Sequence, residues 1–384
     1  MHSLTLPLLF GAAHALFVPP PPGPYSVAVK SIELIDQSRI DPFAPEANTK
    51  RRFMASVYLP IDAQHDCKTQ VVPYMPPLTA SVYGKVGEPL GLPPGVIEKF
   101  EIEFCNISTV NLDISQRQSK KEFPVAVFSP GFGGTRLIYS ALARSVASLG
   151  YIIITVDHTY EAAVVEFPDG TAAYAQTSAA SNQSLTLREL EVRTGDESFL
   201  ISQLSNTTIT DSVFANFPGT FNPHRVVVYG HSFGGSTAAE TALRDTRVIG
   251  GLNIDGPVYG SVGKKGIKGK PFVLVANGGE PVVDFGEFYK KIDASKMDLV
   301  VRNTQHYAFT DVPLLLTVYQ IPPGSQSMVD KVFGTLHGKK VEKALDQVTA
   351  GLLEFLFSNR TKSLEDLGKN PDIDVLHSNL RKCK

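Results

Sequence analysis

From residue 123 onward the chain alternates between short, nearly continuous apolar runs and helical segments, and this rhythm restricts the fold more than any other feature. The runs at 123–128, 151–156, 225–229, 248–254, 271–276 and 298–302 are of strand length. Helical segments at 137–149, 185–204, 236–243 and 341–356 separate or follow them. In the last of these, Val341, Ala344, Leu345, Val348, Leu352, Leu353 and Leu356 recur at the 3.6-residue period of a core-facing helix. Strands apolar on both faces and alternating with helices imply a parallel sheet covered on both sides. Two alternating runs at 25–35 and 52–60 add an antiparallel edge. The expectation is one α/β domain over residues 25–358, with a mostly parallel eight-stranded sheet. Residues 61–122, rich in Pro and Gly, read as a loop-rich insertion, and residues 359–384 as a loose polar tail.

The N-terminus reads as an address. Residues 4–9 form an apolar run and Ala13-His14-Ala15 supplies a small-x-small cleavage pattern, so residues 1–15 are expected to be a signal peptide of a secreted protein. The Pro-rich stretch 16–24 then leads into the domain. Four Asn-x-Ser/Thr sequons, at Asn106, Asn182, Asn206 and Asn359, fit a secretory route with glycans on surface loops. In an oxidising compartment Cys67 and Cys105, both in the insertion, are expected to pair, leaving Cys383 over. With 36 basic and 38 acidic residues there is no basic field to suit a nucleic-acid partner. After the leader no apolar run approaches the roughly 18 residues that span a bilayer, so stable membrane insertion is not expected. No H-e-x-x-H or paired-cysteine spacing calls for a metal or other cofactor.

The chemistry concentrates at Gly230-His231-Ser232-Phe233-Gly234, a G-x-S-x-G match. Its context carries the weight: a strand, residues 225–229, precedes it, and a helix of small residues follows. Gly230 and Gly234 allow the sharp turn that lifts a serine out of the sheet. A serine nucleophile needs a base and the base an orienting acid, in the chain order Ser, acid, His. Only His306, His337 and His377 follow Ser232, and His306 sits just past the last predicted strand, at the sheet edge where sites gather. Asp255 ends the strand after the elbow helix and is the preferred acid. The next strand ends in Asn277, which cannot ionise, with Glu280 and Asp284 further on as alternatives. Asp157 and Asp311 read as loop caps. The oxyanion donors are expected at the N–H groups of Phe233 and, in the Gly-rich loop after the 123–128 strand, Phe132. The two Phe side chains are expected to limit the acyl length.

Residues 128–136 (FSPGFGGTR), Tyr139-Ser140, 150–158, the G-H-S-F-G-G run at 230–235, Asp255, and His306 with Phe309 together resemble the plasma-type platelet-activating factor acetylhydrolase family and its secreted fungal members. The resemblance covers roughly residues 120–312 and, more weakly, 25–60. It implies the α/β-hydrolase fold and no metal. It also implies removal of short acyl groups from a small ester or the sn-2 position of a phospholipid, with Ser232, Asp255 and His306 as triad and Phe132 and Phe233 as oxyanion hole. A cutinase-like or secondary-metabolite esterase is the alternative, and a non-catalytic binding module on the same scaffold a more distant one.

Overall fold

The structure, a computed structural model, describes residues 15–65, 67–110, 121–176, 182–280, 282 and 284–381. All but the last residue of the expected leader peptide, and Cys383, lie outside these. The main sheet has twelve strands. We number them β1 (Leu16–Phe17), β2 (Ser26–Ile40), β3 (Lys50–Ile61), β4 (Thr69–Pro73), β5 (Phe100–Cys105), β6 (Val125–Ser129), β7 (Ile152–Val156), β8 (Val226–His231), β9 (Val248–Ile254), β10 (Phe272–Asn277), β11 (Lys296–Val301) and β12 (Ile373–Asn379). Their spatial order is β1-β5-β2-β3-β7-β6-β8-β9-β10-β11-β12, with β4 on the side of β5. Strands β7, β6, β8, β9, β10 and β11 pair in parallel, while β2, β3 and β12 make antiparallel joins. This is an α/β-hydrolase architecture.

Side chains of the parallel strands alternate between two apolar layers, as the two-residue strand period requires. Ala126, Phe128, Val227 and Tyr229 join one layer, with helices α2 (Ser140–Ser148) and α6 (Gly338–Ser358). Val125, Val127, Val226 and Val228 join the other, with α3 (Gln183–Gln203) and α4 (Phe233–Arg244). Two further helices matter below: α1 (Pro77–Gly87) and α5 (Gln326–Phe333).

The eight expected strands are all present in this sheet, and four more join them. In the insertion, β4 and β5 form an antiparallel pair, and β1, from the Pro-rich leader, adds to β5 in parallel. The Phe-Glu-Ile-Glu-Phe alternation of β5 is a period-two signal that the surrounding Pro and Gly obscure. Cys67 and Cys105 are disulfide-bonded across this edge, with Cα atoms 5.7 Å apart. The fourth, β12, lies in the stretch read as a loose tail. It pairs antiparallel with β11, from Met297 opposite Ser378 to Val301 opposite Ile373. Its residues after Ile373 are half-exposed or exposed and carry little apolar signal, so only the neighbouring strand reveals it. Asn106, Asn182 and Asn206 each accept the N–H two residues on and cap a helical turn, while Asn359 ends α6 with φ 54°.

Two buried carboxyls make stability pH-dependent. Glu197 on α3 has a hydrogen bond from Thr241, and Asp346 on α6 has one from Ser145. Burial outweighs these bonds and pushes both groups up to about 8. Their unfolded counterparts titrate near about 4. The folded chain therefore holds more protons at these two groups between these limits, so their contribution to stability is fully present below about pH 4, is lost as pH rises, and is gone above about 8. A Glu197→Gln/Asp346→Asn variant should lose these two groups' share of the slope, leaving that of Asp311, which burial raises to about 7, and should unfold at higher urea than wild type at pH 8. Urea titrations at pH 5 and 8 check this, and an unaltered slope contradicts it.

Candidate active site

Strand β8 lies at the centre of the parallel region, between β6 and β9, and ends in the turn to α4. Ser232 occupies that turn with φ 56° and ψ −125°, a conformation costing a non-glycine residue about 1–3 kcal/mol. The surroundings hold it there: its N–H donates to the Ile254 carbonyl at 2.7 Å, and its own carbonyl accepts the Gly235 N–H at 2.8 Å. A Cβ at Gly230 would strike the backbone of Gly234, and one at Gly234 would strike the Ser129 carbonyl. Both glycines are therefore required by close approach.

Ser232 Oγ lies 2.9 Å from His306 Nε2, and His306 Nδ1 lies 2.6 Å from Asp255 Oδ2. Asp255 follows β9 on a second positive-φ turn, φ 56°, braced by the Asn253 side chain, which bonds both the N–H and the carbonyl of Gly256. Asn277, set aside at the end of β10 because it cannot ionise, serves the acid as a donor. Its backbone N–H reaches Asp255 Oδ1 at 2.9 Å and its side-chain amide reaches Oδ2 at 2.8 Å. Burial pushes the Asp255 carboxyl up, but the bonds from His306 and Asn277 outweigh it and hold the group below its ordinary value. Facing an ionised Asp255, His306 carries its proton on Nδ1 and leaves Nε2 to accept from the serine hydroxyl.

The alternatives lie elsewhere. His337 caps α6, and His377 on β12 faces Asp298 at 3.3 Å. Glu280 meets Asn277 through its backbone carbonyl and N–H, and Asp284 precedes a short helix. Asp311 does cap, but the helix it caps is α2: it accepts the Ala141 and Leu142 N–H groups at 2.7 and 3.0 Å and the Tyr74 hydroxyl at 2.6 Å. Asp157 is buried and ion-paired to Arg136.

The loop after β6 is held by groups that sequence reasoning left unassigned. Arg193 of α3 donates to the Pro130 and Gly131 carbonyls at 2.8 and 3.2 Å and to Ser129 Oγ at 3.2 Å, and it is ion-paired to Glu161. Glu161 in turn accepts the Gly133 N–H at 3.3 Å, and the Tyr83 hydroxyl donates to the Gly133 carbonyl at 2.7 Å. With these carbonyls engaged, the Phe132 N–H remains; among the described residues neither it nor the Phe233 N–H is bonded to a protein acceptor. Behind Ser129, His158 is buried. Burial and the nearby Arg193 hold its pKa below the ordinary value, so it stays neutral, donating to Asp196 and accepting from the Ser129 hydroxyl.

Ser232, His306 and Phe132 open on a cavity of about 520 Å³. Its apolar wall comes from α1 and the turns after it, through Tyr83, Val86, Leu90, Leu92 and Ile97, and from Phe333 of α5. The insertion is thus the wall of the site. Phe132 lines the cavity, but the Phe233 ring packs under the Arg193 guanidinium, 4.7 Å away, and against Tyr259. Of the two Phe side chains expected to limit acyl length, only Phe132 is placed to do so. Residues 157–224 contribute Glu161, Ala163 and Ala175 to the lining, while α3 packs on α4. Among the described residues, no group of three or more His, Cys, Asp or Glu is arranged to hold a metal, and no helix is long and apolar enough to cross a membrane.

A family profile described as platelet-activating factor acetylhydrolase, isoform II, matches residues 23–202 and 186–380. The chain belongs to that family. The match to the platelet-activating factor acetylhydrolase, isoform II, profile runs well beyond the region of sequence resemblance and takes in the insertion and β12. Among curated relatives, a probable 1-alkyl-2-acetylglycerophosphocholine esterase of Arthroderma benhamiae is 30% identical over 260 residues, covering 67% of this chain and 63% of that protein. A platelet-activating factor acetylhydrolase of Cavia porcellus is 30% identical over 159 residues, 37% of this chain and 36% of that one. The alignments thus span less than two thirds of each relative. A ferulic acid esterase from Streptomyces cinnamoneus has a similar structure, with a TM-score of 0.75 and 25% identity over 94% of this chain and all of that one.

Proposed function

We propose that this chain is a secreted serine carboxylic ester hydrolase that removes short acyl groups, with an acetylated glycerophospholipid as its natural class of substrate. The observation that carries the reading is the continuous hydrogen-bonded line Ser232–His306–Asp255 beside two unengaged amides. His306 takes the Ser232 proton as Oγ attacks the acyl carbon, and the Phe132 and Phe233 N–H groups hold the oxyanion. The tetrahedral intermediate collapses as His306 Nε2 returns the proton to the departing alcohol. Water, deprotonated by His306, then attacks the acyl-enzyme, and collapse frees the acid as His306 Nε2 returns the proton to the departing Ser232 Oγ. No metal or other cofactor enters these steps.

Secretion is supported by the apolar 4–9 run with its Ala-x-Ala site, by the disulfide, and by the four sequons. At Asn106 and Asn182 the cap uses only Oδ1, which leaves Nδ2 for a glycan; at Asn206 Nδ2 also donates to Gln203 Oε1 at 2.8 Å, an exposed bond that a glycan would replace. The substrate class is supported by the family and by the curated relatives' names. The ferulic acid esterase likeness favours a second reading, an esterase of aryl acids.

A fluorophosphonate probe on wild type and Ser232→Ala tests the chemistry: labelling should vanish in the variant. A series of acetyl, dodecanoyl and feruloyl esters, with 2-acetyl and 2-palmitoyl phospholipids, tests the substrate. Preference for acetyl supports the first reading, a feruloyl preference the second, and equal turnover of C2 and C12 esters would sink the short-acyl reading.

A further inference from the structure

We propose that His231, the middle residue between Gly230 and Ser232, is a positioning residue that ties the oxyanion loop to the loop carrying His306. The proposal rests on the esterase reading above. Three hydrogen bonds run in series. The Gly131 N–H donates to Tyr139 Oη at 3.1 Å, Tyr139 Oη lies 2.9 Å from His231 Nδ1, and His231 Nε2 lies 2.9 Å from the His306 carbonyl oxygen. The two imidazole rings are 4.7 Å apart between centroids.

Only one arrangement of protons satisfies the series. A carbonyl can only accept, so His231 Nε2 carries the proton. Nδ1 of the neutral ring then accepts from the Tyr139 hydroxyl, whose lone pair is left for the Gly131 N–H. His231 is 2% exposed. Burial and the adjacent His306 hold its pKa down, at about 3, so the neutral ring persists across the working range. A second cation beside the imidazolium that forms on His306 is thereby avoided.

The series fixes two things that catalysis needs at the same moment. One is the Pro130–Gly131 peptide, adjacent to the Phe132 N–H that must face the oxyanion. The other is the backbone from which the His306 ring reaches Ser232. Both hang from side chains on rigid elements, Tyr139 at the start of α2 and His231 at the end of β8. A displacement of about 1 Å in such a group costs on the order of 100-fold in rate.

His231→Leu breaks two links, and kcat should fall about 10–100-fold with KM changed less than about threefold. His231→Gln places an amide donor where Nε2 lies and should recover most of that loss. Tyr139→Phe removes the middle link and should cost about 3–10-fold in kcat. Retention of wild-type kcat in the Leu variant, or a Gln variant as impaired as Leu, overturns the proposal while leaving the esterase reading standing. Nitrogen-15 NMR of the wild-type imidazoles is independent of turnover. A neutral His231 protonated on Nε2 from pH 5 to 8 is expected, and an Nδ1–H tautomer or a titrating ring overturns the proposal whatever the activity. Failure of wild type to react with the fluorophosphonate overturns the esterase reading instead.

Discussion

Ser232→Ala should lower kcat by about 10⁵–10⁶-fold, and His306→Ala by a similar factor, with the double variant scarcely worse than either. The reason is that the serine hydroxyl and its base act as one unit. Without the base the hydroxyl keeps its proton, and without the hydroxyl the base has only water to activate. What remains is the contribution of binding and the two amides, about 10³–10⁴ over water. Asp255→Asn should cost about 10⁴-fold, because an amide facing His306 Nδ1 allows the wrong tautomer. Here the Asn277 donors sharpen the expectation, since they would meet another N–H in the variant and force its amide to turn. Hydrolysis of p-nitrophenyl acetate, corrected for background, measures all four variants. Strictly multiplicative losses for Ser232 and His306 would show that the two do not act together.

Arg193→Met should be the most damaging change outside the relay. Arg193 and Glu161 are both buried, with side chains 1% and 4% exposed. Removing the guanidinium strands the Glu161 carboxylate, a loss of about 3–5 kcal/mol in stability. It also leaves the Pro130 carbonyl without the guanidinium donor and the Gly131 carbonyl with the Gly134 N–H alone, so the Phe132 amide loses its aim and kcat should drop about 100-fold. Arg193→Met/Glu161→Gln separates the two effects. It should regain much of the urea resistance, since no charge is left unpaired, but little of kcat, since the loop still lacks the guanidinium that holds it. Recovery of both together would mean that Arg193 matters only through the ion pair.

What could be read from the chain is local, and what could not is long-range. The strand–elbow–helix signal, the strand-end carboxylate Asp255 and the loop His306 each announce themselves within a few neighbours, and their chain order matches a known chemistry. The six parallel strands were legible because each is buried on both faces and so continuously apolar. Arg193, Glu161, Tyr139 and His231 are polar residues whose purpose appears only when α3, the loop after β6 and the end of β8 meet. The donor role of Asn277 is long-range in the same way, since it appears only where the ends of β9 and β10 lie side by side. The α1 wall was hidden for a related reason: its helix carries Gly at 84 and 87 and Pro at its start, so composition resembles loop while packing makes helix.

Strand β12 has a practical consequence. It covers β11, the strand from whose end the His306 loop departs, and without it a row of amides and carbonyls would face solvent, ready to recruit a neighbouring molecule. Cutting the chain after α6 should therefore yield an associating protein with a loosened base. Fusion partners belong beyond Arg381, past β12, which is itself the outer strand of the sheet and stays paired to β11.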